Sequence, residues 1–200
     1  YLIDLENTQK KTFNTTYECI IHLASYTLPR ESFSNIDKYI LGNLKMTNNL
    51  INTFPNFKKF IFTSTANLYK PSKNIKENSE IEAQSPYGES KLINEKYLFH
   101  MSKNHKSQFS IFRLFNASGG DVEGSFRYEV KPKNKLLIPS ILRSQKKNKI
   151  FYLNGNKFKT KDGTCIRDFI HVYDIAQAFE NFLKYGIKNK YEIFNLGSSK

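Results

Sequence analysis

Three short apolar runs recur along the 200-residue chain, with helix-length segments between them: Cys19-Ile20-Ile21-His22-Leu23-Ala24, residues 57–62, and Ser110-Ile111-Phe112-Arg113-Leu114-Phe115. Runs this short without strict alternation suit strands covered on both faces, as in a parallel sheet. Between the first and second, residues 37–54 place Ile40, Leu41, Leu44, Leu50 and Ile51 on one helical stripe that Pro55 ends. Between the second and third, Ser85 can cap a helix that has Pro86 at its first position. Strand, helix, strand, helix, strand predicts an α/β fold built on a parallel sheet. Beyond Asn116 the expected order is a long loop over 117–134, a helix over 137–146 and a short strand over 150–153. Residues 166–172 then read as strand or loop leading to a helix with Asp174 near its start, and residues 191–196 as a last strand.

This length allows one sizeable core, or a domain plus part of another. Hydrophobic residues at 39% and aromatics at 14% exclude a disordered chain. No apolar run approaches the roughly 18 residues of a membrane helix, and no signal peptide is visible, so neither a membrane partner nor export is expected. Cys19 and Cys165 make no metal-ligand spacing; no metal site is expected, and free thiols in a reducing cytoplasm are. The chain starts at Tyr1 without a methionine and stops at Lys200 just past a strand-like segment, so both ends are expected to be cuts in a longer polypeptide. A formal charge of +13 invites a nucleic-acid reading. The lysines are dispersed, however, with only short clusters such as Lys146-Lys147-Asn148-Lys149, and a phosphate-bearing small substrate would profit from the same field.

The run Ser85-Pro86-Tyr87-Gly88-Glu89-Ser90-Lys91 sets a tyrosine and a lysine four residues apart, on one helix face. A phenol is a poor base at neutral pH; a neighbouring ammonium favours its ionised form, and a hydroxyl can share the reacting proton. Phe60-Ile61-Phe62-Thr63-Ser64-Thr65 supplies that hydroxyl at a strand end. A surface tyrosine beside a snorkelling lysine would fit the pair as well. Ligands of α/β sheets gather at the carboxyl ends of strands, where Thr65, Asn116 and the stretch from His22 to Ser25 would meet.

With these segments the chain resembles the extended short-chain dehydrogenase/reductase superfamily and, within it, the UDP-glucose 4-epimerase family. Ile21 to Ser25 looks like the strand that passes the nicotinamide cofactor, Phe62 to Tyr69 like the segment carrying the catalytic hydroxyl, and Ser85 to Lys91 like the tyrosine–lysine motif. Arg113-Leu114-Phe115-Asn116 is similar to the segment whose asparagine holds the diphosphate. Asp162-Gly163-Thr164-Cys165-Ile166-Arg167-Asp168-Phe169-Ile170-His171-Val172-Tyr173-Asp174 is the most specific match.

The resemblance implies an incomplete Rossmann-type parallel sheet with helices on both faces, plus part of a smaller substrate-binding domain. Residues 1–116, with 166–186 returning, would form the first; 117–165 and 187–200 would form the second. Catalysis would rest on Thr65, Tyr87 and Lys91. NAD would be bound by Asp4, Leu5, Leu23, Ala24, Ser25, Asn43, Tyr87, Lys91 and Leu114, and a UDP-hexose by Thr65, Asn116, Leu136, Tyr152 and Arg167. Tyr87 would take the hydroxyl proton at C4 while NAD takes the hydride; Lys91 would lower the tyrosine's pKa and bind the nicotinamide ribose. Arg167 would grip the phosphates through charge-assisted bonds and leave the hexose free to turn. His171 is expected to pack or cap, and the full-length form to be a homodimer.

Related dehydratases need acid–base side chains directly after the catalytic threonine; Ala66 and Asn67 cannot serve. Departures from the family are Thr27, Lys70, Leu114 and Leu136, and above all the absence of its Gly-x-x-Gly-x-x-Gly loop from the nine glycines. Without that loop the 200-residue chain is expected to bind NAD weakly and to be inactive alone. The alternatives are a UDP-N-acetylglucosamine 4-epimerase, a non-catalytic remnant of such an enzyme, and a basic nucleic-acid-binding module.

Overall fold

A computed structural model describes residues 4–6, 12–121, 123–124, 136–153 and 155–198. The chain divides into two compact units, one of residues 1–115 and 177–196, the other of residues 116–176 and 197–200. The strands are β1 (Tyr17–His22), β2 (Phe57–Thr65), β3 (Gln108–Leu114), β4 (Asn116–Ser118), β5 (Phe169–His171) and β6 (Tyr191–Leu196). The helices are α1 (Pro29–Ser32), α2 (Ile36–Thr53), α3 (Pro86–Asn104), α4 (Leu137–Lys146) and α5 (Val172–Tyr185).

In the larger unit, β1, β2, β3 and β6 form a sheet in that order, parallel throughout. The near-continuous apolar runs have the cause expected of them. On one face Ile20, Phe60, Phe62, Phe109 and Ile111 pack against Ile51 of α2 and Leu98 of α3. On the other, Ile61 and Phe112 meet Phe182 and Phe179 of α5. Each large side chain so buried contributes about 1.5–3 kcal/mol. Toward the carboxyl end of the α3-facing side the pattern changes: Phe60 pairs in register with Phe109, Phe62 with Ile111, then Ser64 with Arg113. A dry layer thus ends in polar groups one residue short of Thr65.

Several boundaries differ from the sequence reading. β2 runs three residues past Phe62 to Thr65, because its hydroxyl residues keep pairing with β3. The strand expected over 150–153 is not one: Ile150 and Tyr152 are each 76% exposed, and among the described residues no strand pairs with them. The short parallel pair β4–β5 was hidden, three residues being too few to show a period. The smaller domain was expected to hold 187–200, but β6 lies in the larger unit's sheet, its apolar residues completing the face that α5 covers. The expected return of 166–186 to the larger unit likewise begins only at Gln177. Of the loop expected over 117–134, Ala117 and Ser118 belong to β4; residue 122 and residues 125–134 lie outside the described residues. No helix among the described residues is long and apolar enough to cross a membrane.

Candidate active site

Helix α3 starts as its sequence demands. Ser85 Oγ accepts the Gly88 N–H at 3.2 Å, with Pro86 in the first turn. A Cβ on Gly88 would stand 3.1 Å from the Asn67 carbonyl oxygen and 3.2 Å from the Ala83 Cβ. The bare glycine therefore lets this first turn lie close against the single 3-10 turn Ala66–Leu68 that follows β2. Thr65 caps that turn by accepting the Asn67 N–H at 3.2 Å. The same hydroxyl faces that of Tyr87 and acts on the phenol's protonation. Tyr39 of α2 meets the Tyr87 ring edge-on, with centroids 6.5 Å apart.

One turn on from Tyr87, Lys91 is 3% exposed. Its Nζ donates to the Thr63 carbonyl at 2.9 Å and lies 4.8 Å from the centre of the Phe62 ring. Burial lowers its pKa to about 7, and the charge of Glu95 opposes the fall. Tyr87 goes the other way: burial raises it above its ordinary value of 10, its interaction with the Thr65 hydroxyl opposes the rise, and Tyr39 adds to it. The expected lowering of Tyr87 by Lys91 is thus absent from this state, in which the ammonium is engaged by a backbone carbonyl and burial dominates the phenol.

Leu114 pairs with Thr65 across β2 and β3, so the two strand ends meet. At the end of β1, Leu23 is exposed, and Ala24 and Ser25 lead to Tyr26. Asn43 of α2 holds this loop at both polar groups of one residue: its Oδ1 accepts the Tyr26 N–H at 2.8 Å and its Nδ2 donates to the Tyr26 carbonyl at 3.2 Å. That amide also donates to Ser90 Oγ at 2.8 Å, and Ser90 donates to the Tyr87 carbonyl at 2.7 Å. Leu5 is tied to α2 through its carbonyl, which accepts from Asn49 at 2.8 Å; Asp4 Oδ1 accepts the Glu6 N–H at 2.9 Å.

In the smaller unit, Asn116 and the signature segment come together through β4 and β5. Asn116 pairs with Phe169, and its Nδ2 donates to the Asp168 carbonyl at 2.7 Å. Arg167 is the neighbouring residue and is exposed. Asp168 Oδ1 accepts both the N–H and the hydroxyl of Ser198, at 2.9 and 2.8 Å. Gly163 has φ +75° and would place a Cβ 2.3 Å from the Asn156 carbonyl oxygen, which explains the glycine of the signature. His171 packs its ring where a Cβ on Gly119 would fall, and its Nδ1 accepts the Tyr173 N–H at 3.2 Å. It packs and caps. Leu136 precedes α4 and is 45% exposed; Tyr152 is exposed on its irregular segment.

Two features went unread in the sequence. His22 is buried, with Nε2 2.9 Å from Thr47 Oγ1; burial, then the charge of Lys91, lowers its pKa to about 3. Arg113 and Glu95 form a buried ion pair at 2.6 Å behind Lys91. The i+4 step from Lys91 to Glu95 was a signal for the carboxylate alone, since nothing in the spacing points to Arg113.

Comparisons with known proteins show the family to which the chain belongs. Residues 2–197 match the NAD dependent epimerase/dehydratase family. A UDP-glucose 4-epimerase of Mycoplasma genitalium is 38% identical over 195 residues, covering 90% of this chain and 56% of the relative. That of Lactobacillus helveticus is 32% identical over 208 residues, covering 100% and 63%. The crystal structure of UDP-glucose 4-epimerase from Bifidobacterium longum in complex with NAD+ and UDP superposes with a TM-score of 0.83 at 27% identity, covering 92% of this chain and 57% of that one. The chain therefore spans somewhat over half the length of the relatives it matches.

Proposed function

Because this chain belongs to the NAD dependent epimerase/dehydratase family, we propose that it carries the catalytic residues of a UDP-glucose 4-epimerase, an isomerase that interconverts UDP-glucose and UDP-galactose. The observation that carries this reading is the Thr65–Tyr87 hydroxyl pair with the buried Lys91 ammonium one turn behind it. Both sequence relatives described above are named for UDP-glucose, which favours the hexose over the N-acetylhexosamine.

The donor set suits a dinucleotide. Lys91 spends one hydrogen bond on Thr63, whereas an ammonium can donate three, so ribose hydroxyls would find donors there. Leu23, Ala24, Ser25, Asn43 and Leu114 would serve the cofactor at that end of the sheet, and Asp4 and Leu5 would meet its adenine. Bound NAD supplies a reversible hydride acceptor and a cationic ring. Tyr87 holds the proton of the C4 hydroxyl and releases it on return, and Thr65 shares that proton. Lys91 adds positive charge that favours the phenolate once a ligand draws it from Thr63. Arg167 and Asn116 would hold the diphosphate, and Leu136 and Tyr152 would contact the nucleotide. Anchoring at the phosphates leaves the hexose free to present either face.

The proposal includes a cytoplasmic, galactose-metabolising role, in keeping with the two free thiols Cys19 and Cys165, and a homodimeric full-length form. It is tested by incubating the full-length protein with NAD and UDP-galactose and following UDP-glucose by NMR. Formation of an equilibrium mixture is expected; no conversion at stoichiometric enzyme overturns the proposal.

A further inference from the structure

Helix α2 carries a glycine in its interior, Gly42, where glycine weakens a helix relative to alanine. What the bare position admits is visible beside it. A Cβ on the buried Gly42 would stand 3.1 Å from Cε2 and 3.5 Å from Cδ2 of Tyr26, and 3.6 Å from Oε1 of Glu6. The glycine thus leaves a notch in which a phenol ring and a carboxylate meet. There the Tyr26 hydroxyl donates to Glu6 Oε2. Lys38, one turn before Gly42, sets its Nζ 4.5 Å from the centre of the Tyr26 ring, and the Tyr39 ring lies against it with centroids 5.7 Å apart.

These contacts join two stretches of chain that are separate in sequence. Tyr26 belongs to the loop after β1, and its N–H and carbonyl are both bound by Asn43, the residue next to Gly42. Ring and backbone of Tyr26 are therefore seated on consecutive residues of α2. Glu6 belongs to the stretch 4–6, whose Leu5 carbonyl accepts from Asn49 at 2.8 Å. That stretch is fastened to α2 at two points, directly through Asn49 and, about two turns away, through Tyr26 in the Gly42 notch. The reaction as described uses neither Tyr26, Glu6 nor Gly42.

We propose that Tyr26 is a positioning residue for the dinucleotide: by holding Glu6 in the Gly42 notch it keeps Asp4 and Leu5 where the adenosine half would meet them. This rests on the reading of NAD as the cofactor. Residues 4–6 belong to no helix or strand, so their conformation depends on such fastenings. A ligand that needs the held conformation binds more weakly in proportion to the molecules that have left it. The acceptor is a carboxylate, which puts the Tyr26–Glu6 bond among the stronger ones. Its loss therefore falls on the adenosine half of the cofactor and leaves the hydroxyl groups of Thr65 and Tyr87 in place.

The experiment titrates NAD, ADP-ribose and UDP in turn into the cofactor-free full-length protein by calorimetry, and follows deuterium exchange of residues 4–6 without ligand. ADP-ribose carries the adenosine and diphosphate but no nicotinamide. In Tyr26→Phe the dissociation constants of NAD and ADP-ribose are expected to rise together, about five- to tenfold, with UDP unchanged and exchange at 4–6 faster. At saturating NAD, kcat should stay within about twofold of wild type. Glu6→Gln, whose side-chain oxygen still accepts the phenol, should stay within about twofold in ADP-ribose affinity. Gly42→Leu fills the notch with a good helix former and is expected to weaken ADP-ribose at least as much as Tyr26→Phe does. Unchanged ADP-ribose affinity in Tyr26→Phe or in Gly42→Leu overturns the inference, as does an equal loss for UDP. A wild type that takes up neither NAD nor ADP-ribose overturns the cofactor reading instead.

Discussion

Asn43 of α2 and Ser90 of α3 are joined by a buried hydrogen bond of 2.8 Å, and each also binds backbone at the site: Asn43 at Tyr26, Ser90 at Tyr87. The loop that follows β1 and the turn that carries Tyr87 are therefore held by one polar link. Replacing Asn43 by Ala would leave the Tyr26 N–H and the Ser90 hydroxyl without this partner. The expected cost is about 1–3 kcal/mol of stability, with NAD affinity falling about tenfold and UDP-sugar affinity nearly unchanged. Calorimetric titration of each ligand against the full-length variant checks this.

His22 makes the protein acid-sensitive. Its folded pKa of about 3 lies below the ordinary 6.5, so between these values the unfolded chain binds more protons than the native one. Stability is complete above pH 6.5 and falls as pH drops through that window. Going from pH 7 to 4.5 should cost about 2–3 kcal/mol through this residue. Urea midpoints of wild type and His22→Gln measure it, with the smaller pH dependence expected in the variant.

Lys91 is a group kept at the expense of stability. The native state binds fewer protons than the unfolded chain between pH 7 and 10.5, so the penalty is full below pH 7 and gone above 10.5. Lys91→Met removes that penalty and loses the bond to Thr63. The NAD-free variant is expected to be about 1–3 kcal/mol more stable at pH 7, to lose the rise in stability between pH 7 and 10.5, and to be inactive. Thermal unfolding across that range reads all but the last.

The sequence showed best what repeats or is covalently spaced. The α/β order was legible because both faces of β2 and β3 are covered, which leaves continuous apolar runs in the chain. The start of α3 was legible because Ser85 and Pro86 are local signals. Tyr87 and Lys91 could be paired by helix geometry, but the nearness of Tyr87 to Thr65 depends on how closely Gly88 lets α3 approach the turn after β2. No spacing rule reveals that. Nor could local pattern show where Lys91 points: its ammonium is buried and sits on the Thr63 carbonyl. The Glu95–Arg113 pair spans two elements, so only the fold brings it together.

The central claim is that the Tyr87 hydroxyl, with Thr65 beside it, moves the proton of the sugar. The most direct measurement is UDP-galactose-to-UDP-glucose turnover by full-length Tyr87→Phe, with NAD binding and folding verified on the same sample. The account predicts a loss of at least about 100-fold in kcat with ligand binding retained. Turnover within a few-fold of wild type would contradict it.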